Sequence, residues 1–380
     1  MRTGFVLLMV CTLLVPTPLL ACMWDYDTLQ MERQRFPYAQ ELIAGQFLRH
    51  SDAYYQWRIK DRSRIAPDDR TPADYDDLAV AYEKLGEHDR AIELIQEKIS
   101  RWPEKNRYES EANLGTFLIH AGRYEEGLEH IRRAIEINPE AHFGREVYQQ
   151  LLVEYMLQQR ASGETLPLRQ SAEAEGVGLV GFARFVHDQQ NTPSRNGISE
   201  TQKATKGVLG MMQFGNYRSP ILLEALGDLL IASGYPDDSK MLAARAYLKA
   251  SYEVSDETAK KKYREKAEQV LELQVPRNLE QVEAELKQEI EQGNAFFVQI
   301  KSDESAWVAA GENLDRKFGM KYYQQPELTV DNNYPMSLET RIVIFLLVLA
   351  GGFVLFITVV SVLIWKWFRK SSTVQIEVKG

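Results

Sequence analysis

Large apolar residues recur at helical spacing along residues 72–105, followed by residues that turn and then end a helical hairpin. On the first predicted helix they share one face. A glycine near the end of that helix permits a tight turn, and a small residue beyond it lets the returning helix cross closely. A proline then ends the second helix, because it has no N–H to donate and clashes with the preceding turn. The residues at these positions are Tyr75, Leu78, Tyr82, Gly86, Ala91, Ile95 and Pro103.

The same order of residues returns along 108–141, which predicts a second hairpin stacked on the first. Its members are Leu114, Gly115, Leu118, Gly122, Ile131, Ala134 and Pro139. Three columns of equally spaced residues extend the repeat upstream, and we therefore expect a degenerate first unit over 36–67. The columns are Pro67, Pro103 and Pro139; Leu42, Leu78 and Leu114; and Ile59, Ile95 and Ile131.

This arrangement resembles the tetratricopeptide repeat (TPR) family, whose units are helical hairpins that stack into a solenoid. The resemblance covers 72–105 and 108–141 and departs from the family pattern at two positions. Lys98 stands where a second small residue is usual, and Gly127 stands where alanine is usual. The resemblance implies an all-α fold, a TPR-like solenoid of helical hairpins, and an adaptor or scaffold role in which a protein or peptide partner is bound.

Helical patterns continue through residues 142–318, but the repeat spacing is lost. A further hairpin is predicted over 222–250, and charged amphipathic helices follow it. Such polar helices are typical of the end of a solenoid. We interpret 22–141 as the N-terminal repeats, 142–318 as a degenerate TPR-like region and 319–341 as a tether. The predicted charged helices are 260–273, 279–292 and 303–318.

Two apolar segments lie outside this helical region. Residues 1–21 combine Arg2 with an apolar run, the pattern of a secretory signal peptide. Residues 342–365 carry no charge and, at about 1.5 Å per residue, are long enough to span a hydrocarbon core of roughly 30 Å. The basic residues of 366–380 predict a cytoplasmic C-terminus. We expect an exported, membrane-anchored protein of bacterial type, with 22–340 periplasmic or extracellular and one C-terminal transmembrane helix.

The two cysteines bear on processing rather than on folding. Cys11 lies within the predicted signal peptide, so Cys22 has no intrachain disulfide partner. Residues 19–22 resemble the motif that directs bacterial lipoprotein processing, although Leu20 stands where a smaller residue is commoner. Three alternatives stay open for Cys22: lipidation, ordinary cleavage before it, and a buried thiol.

Charge and motifs narrow the classes of function. A formal net charge of −9 at pH 7 argues against nucleic acid as a partner, because an acidic surface repels phosphates. The sequence contains no HExxH, GxSxG, P-loop or CxxC motif. We therefore expect a protein that is not an enzyme and has no metal site or cofactor. The alternative is a hydrolase or metal-dependent domain hidden in 142–318, with carboxylates and histidines brought together by the fold.

The front helices of a stacked solenoid line an inner groove, which is the candidate site for a partner. In the two repeats this groove would carry an exposed acidic wall that suits a basic or polar segment. Family members that clamp a C-terminal carboxylate use Lys and Asn there, and only Asn113 fits that scheme. The alternative is that these residues are solvated helix positions. The predicted groove residues are Asp76, Asp77, Val80, Glu83, Asn113, Thr116, Ile119 and His120.

Truncation at Asp331 tests the predicted anchor. Because 342–365 is the one predicted span of the mature chain, the truncated protein should be exported and should remain in the supernatant after membranes are sedimented at high salt. A truncated product that still sediments would contradict a sole anchor at 342–365. Adding Cys22→Ser would then show whether lipidation holds it.

Overall fold

The structure, a computed structural model, describes seven ranges of the chain. All of them belong to the first of two units, Met1–Gln325, whereas the second unit, Pro326–Gly380, lies outside them. The predicted signal peptide, Cys22, the span 342–365 and the tail 366–380 therefore lie outside the described residues. Within those ranges no helix has both the length and the apolar character needed to cross a membrane. The described ranges are 25–32, 34–162, 165–168, 179–189, 200–233, 237–272 and 277–323.

Helices joined by turns make up the described residues, and no strand occurs among them, so the all-α prediction is confirmed there. A π-helical turn, Met212–Asn216, connects two of the helices. The α-helices are α1 (Tyr26–Glu32), α2 (Ala39–Ala44), α3 (Asp52–Arg62), α4 (Pro72–Lys84), α5 (His88–Arg101), α6 (Arg107–His120), α7 (Tyr124–Ile137), α8 (Arg145–Ala161), α9 (Gly181–Gln189), α10 (Glu200–Met211), α11 (Pro220–Ala232), α12 (Asp237–Glu253), α13 (Glu257–Glu272), α14 (Leu279–Ala309) and α15 (Leu314–Tyr322).

The two hairpins expected over 72–105 and 108–141 are present as α4 with α5 and α6 with α7. Thr71 caps α4, because its hydroxyl accepts a hydrogen bond from the Asp74 N–H while Pro72 occupies the first helical position. Gly86 and Gly122 follow the front helices with φ of 80° and 79°, a conformation that favours glycine.

Gly127, the glycine found where the family prefers alanine, lies where α6 and α7 cross. A Cβ at Gly127 would lie 2.8 Å from the carbonyl oxygen of Gly115 and 2.7 Å from Cγ1 of Ile119. A Cβ at Gly115 would in turn lie 2.9 Å from the carbonyl oxygen of Gly127. The two glycines therefore let the helix backbones approach more closely than an alanine would allow.

Helix α14 departs from the predicted organisation of the C-terminal region. The helices expected over 279–292 and in the first part of 303–318 are one continuous helix of 31 residues. Rather than only covering the last hairpin, α14 runs back to pack on α2 and α3. Gly293 makes this crossing possible, since a Cβ there would lie 2.4 Å from the carbonyl oxygen of Ala44. Helix α15 then ends at Tyr322, within the stretch 319–341 that was interpreted as a tether.

The degenerate unit expected over 36–67 contains α2 and α3, but α2 has only six residues and ends at Gly45, where φ is 76°. It packs mainly on α12 and α14. Leu42 and Ile43 of α2 accordingly belong to the apolar core formed by α8 to α13. A second core lies on α4, α5 and α6, and side chains distant in sequence complete it: Met31, Phe214, Ile300 and Phe318. The side of the repeats that would form an open groove is thus largely covered.

Candidate functional site

Asp76, a predicted groove residue, is buried between the two repeats. Its two carboxylate oxygens each lie 2.7 Å from Nζ of Lys98, and Oδ1 also accepts a hydrogen bond of 3.1 Å from Nδ2 of Asn113. All three residues are at most 1% exposed. Lys98 stands where the family usually has a small residue, and its ammonium group pairs with this carboxylate. The residues Asp76, Lys98 and Asn113 therefore join the first hairpin to the second.

The other predicted acidic residues are also engaged within the chain. Asp77 accepts hydrogen bonds from Nε of Arg62 at 2.9 Å and from the backbone N–H of Tyr26 at 3.0 Å. The Glu83 carboxylate lies between two imidazoles, 2.8 Å from Nδ1 of His88 and 2.6 Å from Nδ1 of His120. The prediction of an exposed acidic wall was wrong, because folding buries these carboxylates and pairs them with cations or imidazoles.

The eight predicted groove residues divide into two sets. Asp76, Asp77, Glu83 and Asn113 are buried polar residues with partners in the chain, and Val80 is part of the apolar core. The remaining three line an open cavity of about 240 Å³ between α6, α8, the π turn and the start of α11. We call it the α6–α8 pocket. The three are Thr116, Ile119 and His120.

Apolar side chains form most of the α6–α8 pocket, and a few polar groups stand among them. Gln149 donates a hydrogen bond of 3.2 Å to the Thr116 hydroxyl, and His120 is exposed. Arg145 contributes a guanidinium group, whereas no Asp or Glu is among the described residues that line the pocket. The apolar lining residues are Ile119, Leu152, Val153, Met156, Met211, Phe214, Ile221 and Leu222.

The π turn forms one wall of the pocket and is held by residues from elsewhere. Lys84, at the end of α4, donates a hydrogen bond to the Phe214 carbonyl, and burial lowers the pKa of its ammonium group to about 8. The Arg145 guanidinium lies 5.0 Å from the centre of the Phe214 ring. Gly215 has non-helical torsion angles, φ −102° and ψ −109°. π-helical turns often occur at functional sites.

The sequence analysis did not identify α8 and α10 as walls of the site, although a signal was present. Gly207 and Gly210 are three residues apart on α10, and a Cβ on either would meet a side chain of α8. It would lie 2.7 Å from Tyr148 at Gly207 and 2.9 Å from Arg145 at Gly210. Two glycines at this spacing indicate a close helix contact, and here that contact closes the side of the pocket away from the repeats.

A buried ionic cluster near Lys84 holds the N-terminal segment of the described chain. Arg58 is fully buried, with Nη1 2.6 Å from Oδ2 of Asp27 and 3.0 Å from Oδ2 of Asp25. Its Nη2 lies 2.8 Å from Oδ1 of Asp315 on α15. Asp25 also accepts a hydrogen bond from the Thr28 N–H at 2.8 Å and so caps α1.

His50 belongs to the same cluster, and its surroundings change its pKa. Its Nδ1 lies 2.6 Å from Oε1 of Glu304, and its Nε2 lies 3.5 Å from Oδ1 of Asp27. Burial alone would lower the pKa of His50, but the Asp27 and Glu304 carboxylates outweigh it and raise the pKa to about 9. His50 is therefore a buried cation at neutral pH.

Comparison with known proteins bears on the second hairpin. Residues 110–140 match the family model described as Tetratricopeptide repeat. The chain contains a tetratricopeptide repeat. No curated protein matches the chain, and no solved structure does either. Repeats of this kind are typically protein-interaction modules without catalytic activity, and the α6–α8 pocket is bounded by the front helix of the matched repeat.

Replacing Asp76 by alanine tests the buried ion pair. Asp76→Ala leaves the Lys98 ammonium group buried without its carboxylate, so the free energy of unfolding should fall by about 3–5 kcal/mol in urea denaturation followed by circular dichroism. The control is the exposed Glu104→Ala, which should change it by no more than about 0.5 kcal/mol. Equal effects of the two substitutions would contradict the structural role of Asp76.

The pH dependence of stability tests the charge on His50. Because folding raises its pKa from 6.5 to about 9, the stabilisation is complete below pH 6.5 and is lost as the pH rises through 9. A pKa raised from 6.5 to about 9 corresponds to about 3 kcal/mol of stabilisation. The loss of unfolding free energy between pH 6.5 and 9 should be smaller in His50→Gln than in the parent by about that amount. Parallel pH profiles would show that His50 is not a buried cation.

Proposed function

We propose that this protein is an adaptor that binds a segment of a partner protein in the α6–α8 pocket. The observation that supports this proposal is the position of the open, mostly apolar cavity. It lies against the front helix of the matched repeat, where three of the predicted groove residues line it. Front helices line the surface that repeat proteins use for binding. A partner segment would therefore enter at the part of the groove that the chain itself leaves uncovered.

The size of the pocket favours an anchoring side chain over a cofactor. Pockets for drug-sized molecules and cofactors occupy roughly 300–1,000 Å³. The α6–α8 pocket, at about 240 Å³, is smaller and suits one large aliphatic or aromatic residue. Burying such a residue contributes about 1.5–3 kcal/mol, so the rest of the affinity has to come from contacts around the rim.

Charge indicates what should lie beside the anchor. The described lining residues include Arg145 and His120 but no carboxylate, and Asp76, Asp77 and Glu83 are already paired within the chain. A basic partner segment would find no exposed acidic wall here. We propose instead that the anchor is flanked by an acidic residue, which would take the place of Glu32 beside the Arg145 guanidinium at the pocket wall.

We further propose that the adaptor is tethered to a membrane by 342–365, with 22–340 outside the cytoplasm. The support is the uncharged stretch itself, the basic residues that follow it, and the signal-like pattern of 1–21. The truncation at Asp331 is its test. The alternative of a hydrolase hidden in 142–318 is not favoured, because the interaction module matched at 110–140 gives it no support.

A peptide-display selection on the detergent-solubilised full chain tests the binding site. Enriched peptides should carry a large apolar residue next to Asp or Glu. Ile221→Glu places a carboxylate at the pocket and should weaken a selected peptide at least tenfold, about 1.4 kcal/mol. The measurement is the peptide's Kd by fluorescence anisotropy.

Val298→Glu is the matched control, because Val298 is an exposed residue of α14 that does not line the pocket. It makes the same substitution of an apolar residue by Glu and should leave the Kd unchanged. A selection without enriched peptides would refute pocket binding, and so would equal loss of affinity in both variants.

A further inference from the structure

We propose that α1 is an internal ligand of this adaptor: it occupies the part of the groove next to the α6–α8 pocket, and an acidic partner segment displaces it. The inference rests on the proposed function, because it assigns the covered groove and the open pocket to one continuous binding surface. It deepens that function by making the chain's own sequence at Asp25–Glu32, DYDTLQME, the template for the partner segment.

The contacts of α1 are those of a bound peptide. Asp25 and the seven residues of α1 contact three different helices, and acidic side chains make the contacts with two of them. Asp25 and Asp27 pair with Arg58 on α3, and the backbone N–H of Tyr26 binds Asp77 on α4. At the other end of α1, Glu32 lies 3.5 Å from Nη2 of Arg145 on α8.

The same residues connect α1 to the open pocket. Arg145 lines the α6–α8 pocket and pairs with Glu32. Met31 belongs to the same apolar cluster as Phe214, which is also a lining residue. Met31-Glu32, an apolar residue followed by a carboxylate, is thus connected to the pocket through this cluster and through Arg145. This is the chemistry proposed above for the partner, an acidic residue beside an apolar anchor.

Several features make α1 displaceable. A helix of seven residues is too short to be stable without its contacts. Burial raises the pKa of Glu32 to about 7 in spite of Arg145 and Lys206, so at neutral pH the groove desolvates this carboxylate at some cost. Withdrawal of α1 would expose Arg58 to water while leaving its contact with Asp315 in place. The linker from Gln34 to Tyr38 is free of helix and exposes Arg35 and Tyr38.

A cleavable linker gives a direct test on the folded full chain. A specific protease site is placed between Gln34 and Tyr38, and the protein is folded before it is cut. While the chain is intact, α1 competes at the effective concentration of a tethered ligand, which is about millimolar for a short linker. Cutting removes that advantage. The probe is a fluorescein-labelled DYDTLQME peptide, and the control is a peptide of the same composition in scrambled order.

The cut chain should bind the labelled peptide saturably and at least tenfold more tightly than the uncut chain does, and it should not bind the scrambled peptide. The inference is overturned if cutting leaves the affinity unchanged. It is also overturned if circular dichroism shows that the cut chain unfolds, because α1 would then be a permanent part of the fold.

The selected peptides separate this inference from the proposed function. Cutting the linker should raise their affinity, and unlabelled DYDTLQME should compete with them. If they bind through Ile221 but are indifferent to cutting and to competition, the pocket is the binding site and α1 is not its internal ligand. If no selected peptide binds before or after cutting, the proposed function fails as well.

Discussion

The fully buried guanidinium of Arg58 is the interaction on which the arrangement of the described helices depends. Its carboxylate partners come from the two ends of the described chain, Asp25 and Asp27 at α1 and Asp315 on α15. A buried charge is tolerated only when it is paired, and removing one partner of such a pair costs about 3–5 kcal/mol. Both ends of the described chain therefore meet at α3, the helix that carries Arg58. His50, held by Glu304 of α14, adds a second cation with the same requirement.

This requirement explains why the repeats do not present an open groove. The terminal elements that satisfy the buried cations also cover α4 and its neighbours, and Met31 and Phe318 complete the apolar core there. Carboxylates expected to face a partner instead face residues of the same chain. Among the described residues, the stretch beside α6 and α8 stays open as the α6–α8 pocket, next to the point where α10 passes into the π turn. The binding surface that we propose is thus the part of the groove that the described residues leave open.

The two departures from the repeat pattern have physical explanations in the fold. Lys98 is larger and charged where a small residue is usual, and its ammonium group is matched by the Asp76 carboxylate of the same hairpin. Gly127 is smaller than the usual alanine, and the α6–α7 crossing leaves no room for a Cβ at this position. In each case the unusual residue is matched by a second one: Lys98 by Asp76, and Gly127 by Gly115. The repeat is therefore retained through complementary pairs rather than through a fixed residue at each position.

The sequence by itself determined the hairpins at α4–α5 and α6–α7, because turn glycines, helix-ending prolines and helical spacing act between residues near in sequence. The same local reasoning placed the groove-facing positions, yet it could not tell whether they were exposed. Only the tertiary structure decided that Asp76 is neutralised by Lys98, that α14 returns across Gly293 to α2, and that Arg58 joins α1 to α15. These outcomes depend on contacts between residues as far apart as Arg58 and Asp315. Burial and charge pairing at such separations are properties of the packed chain, and no local pattern encodes them.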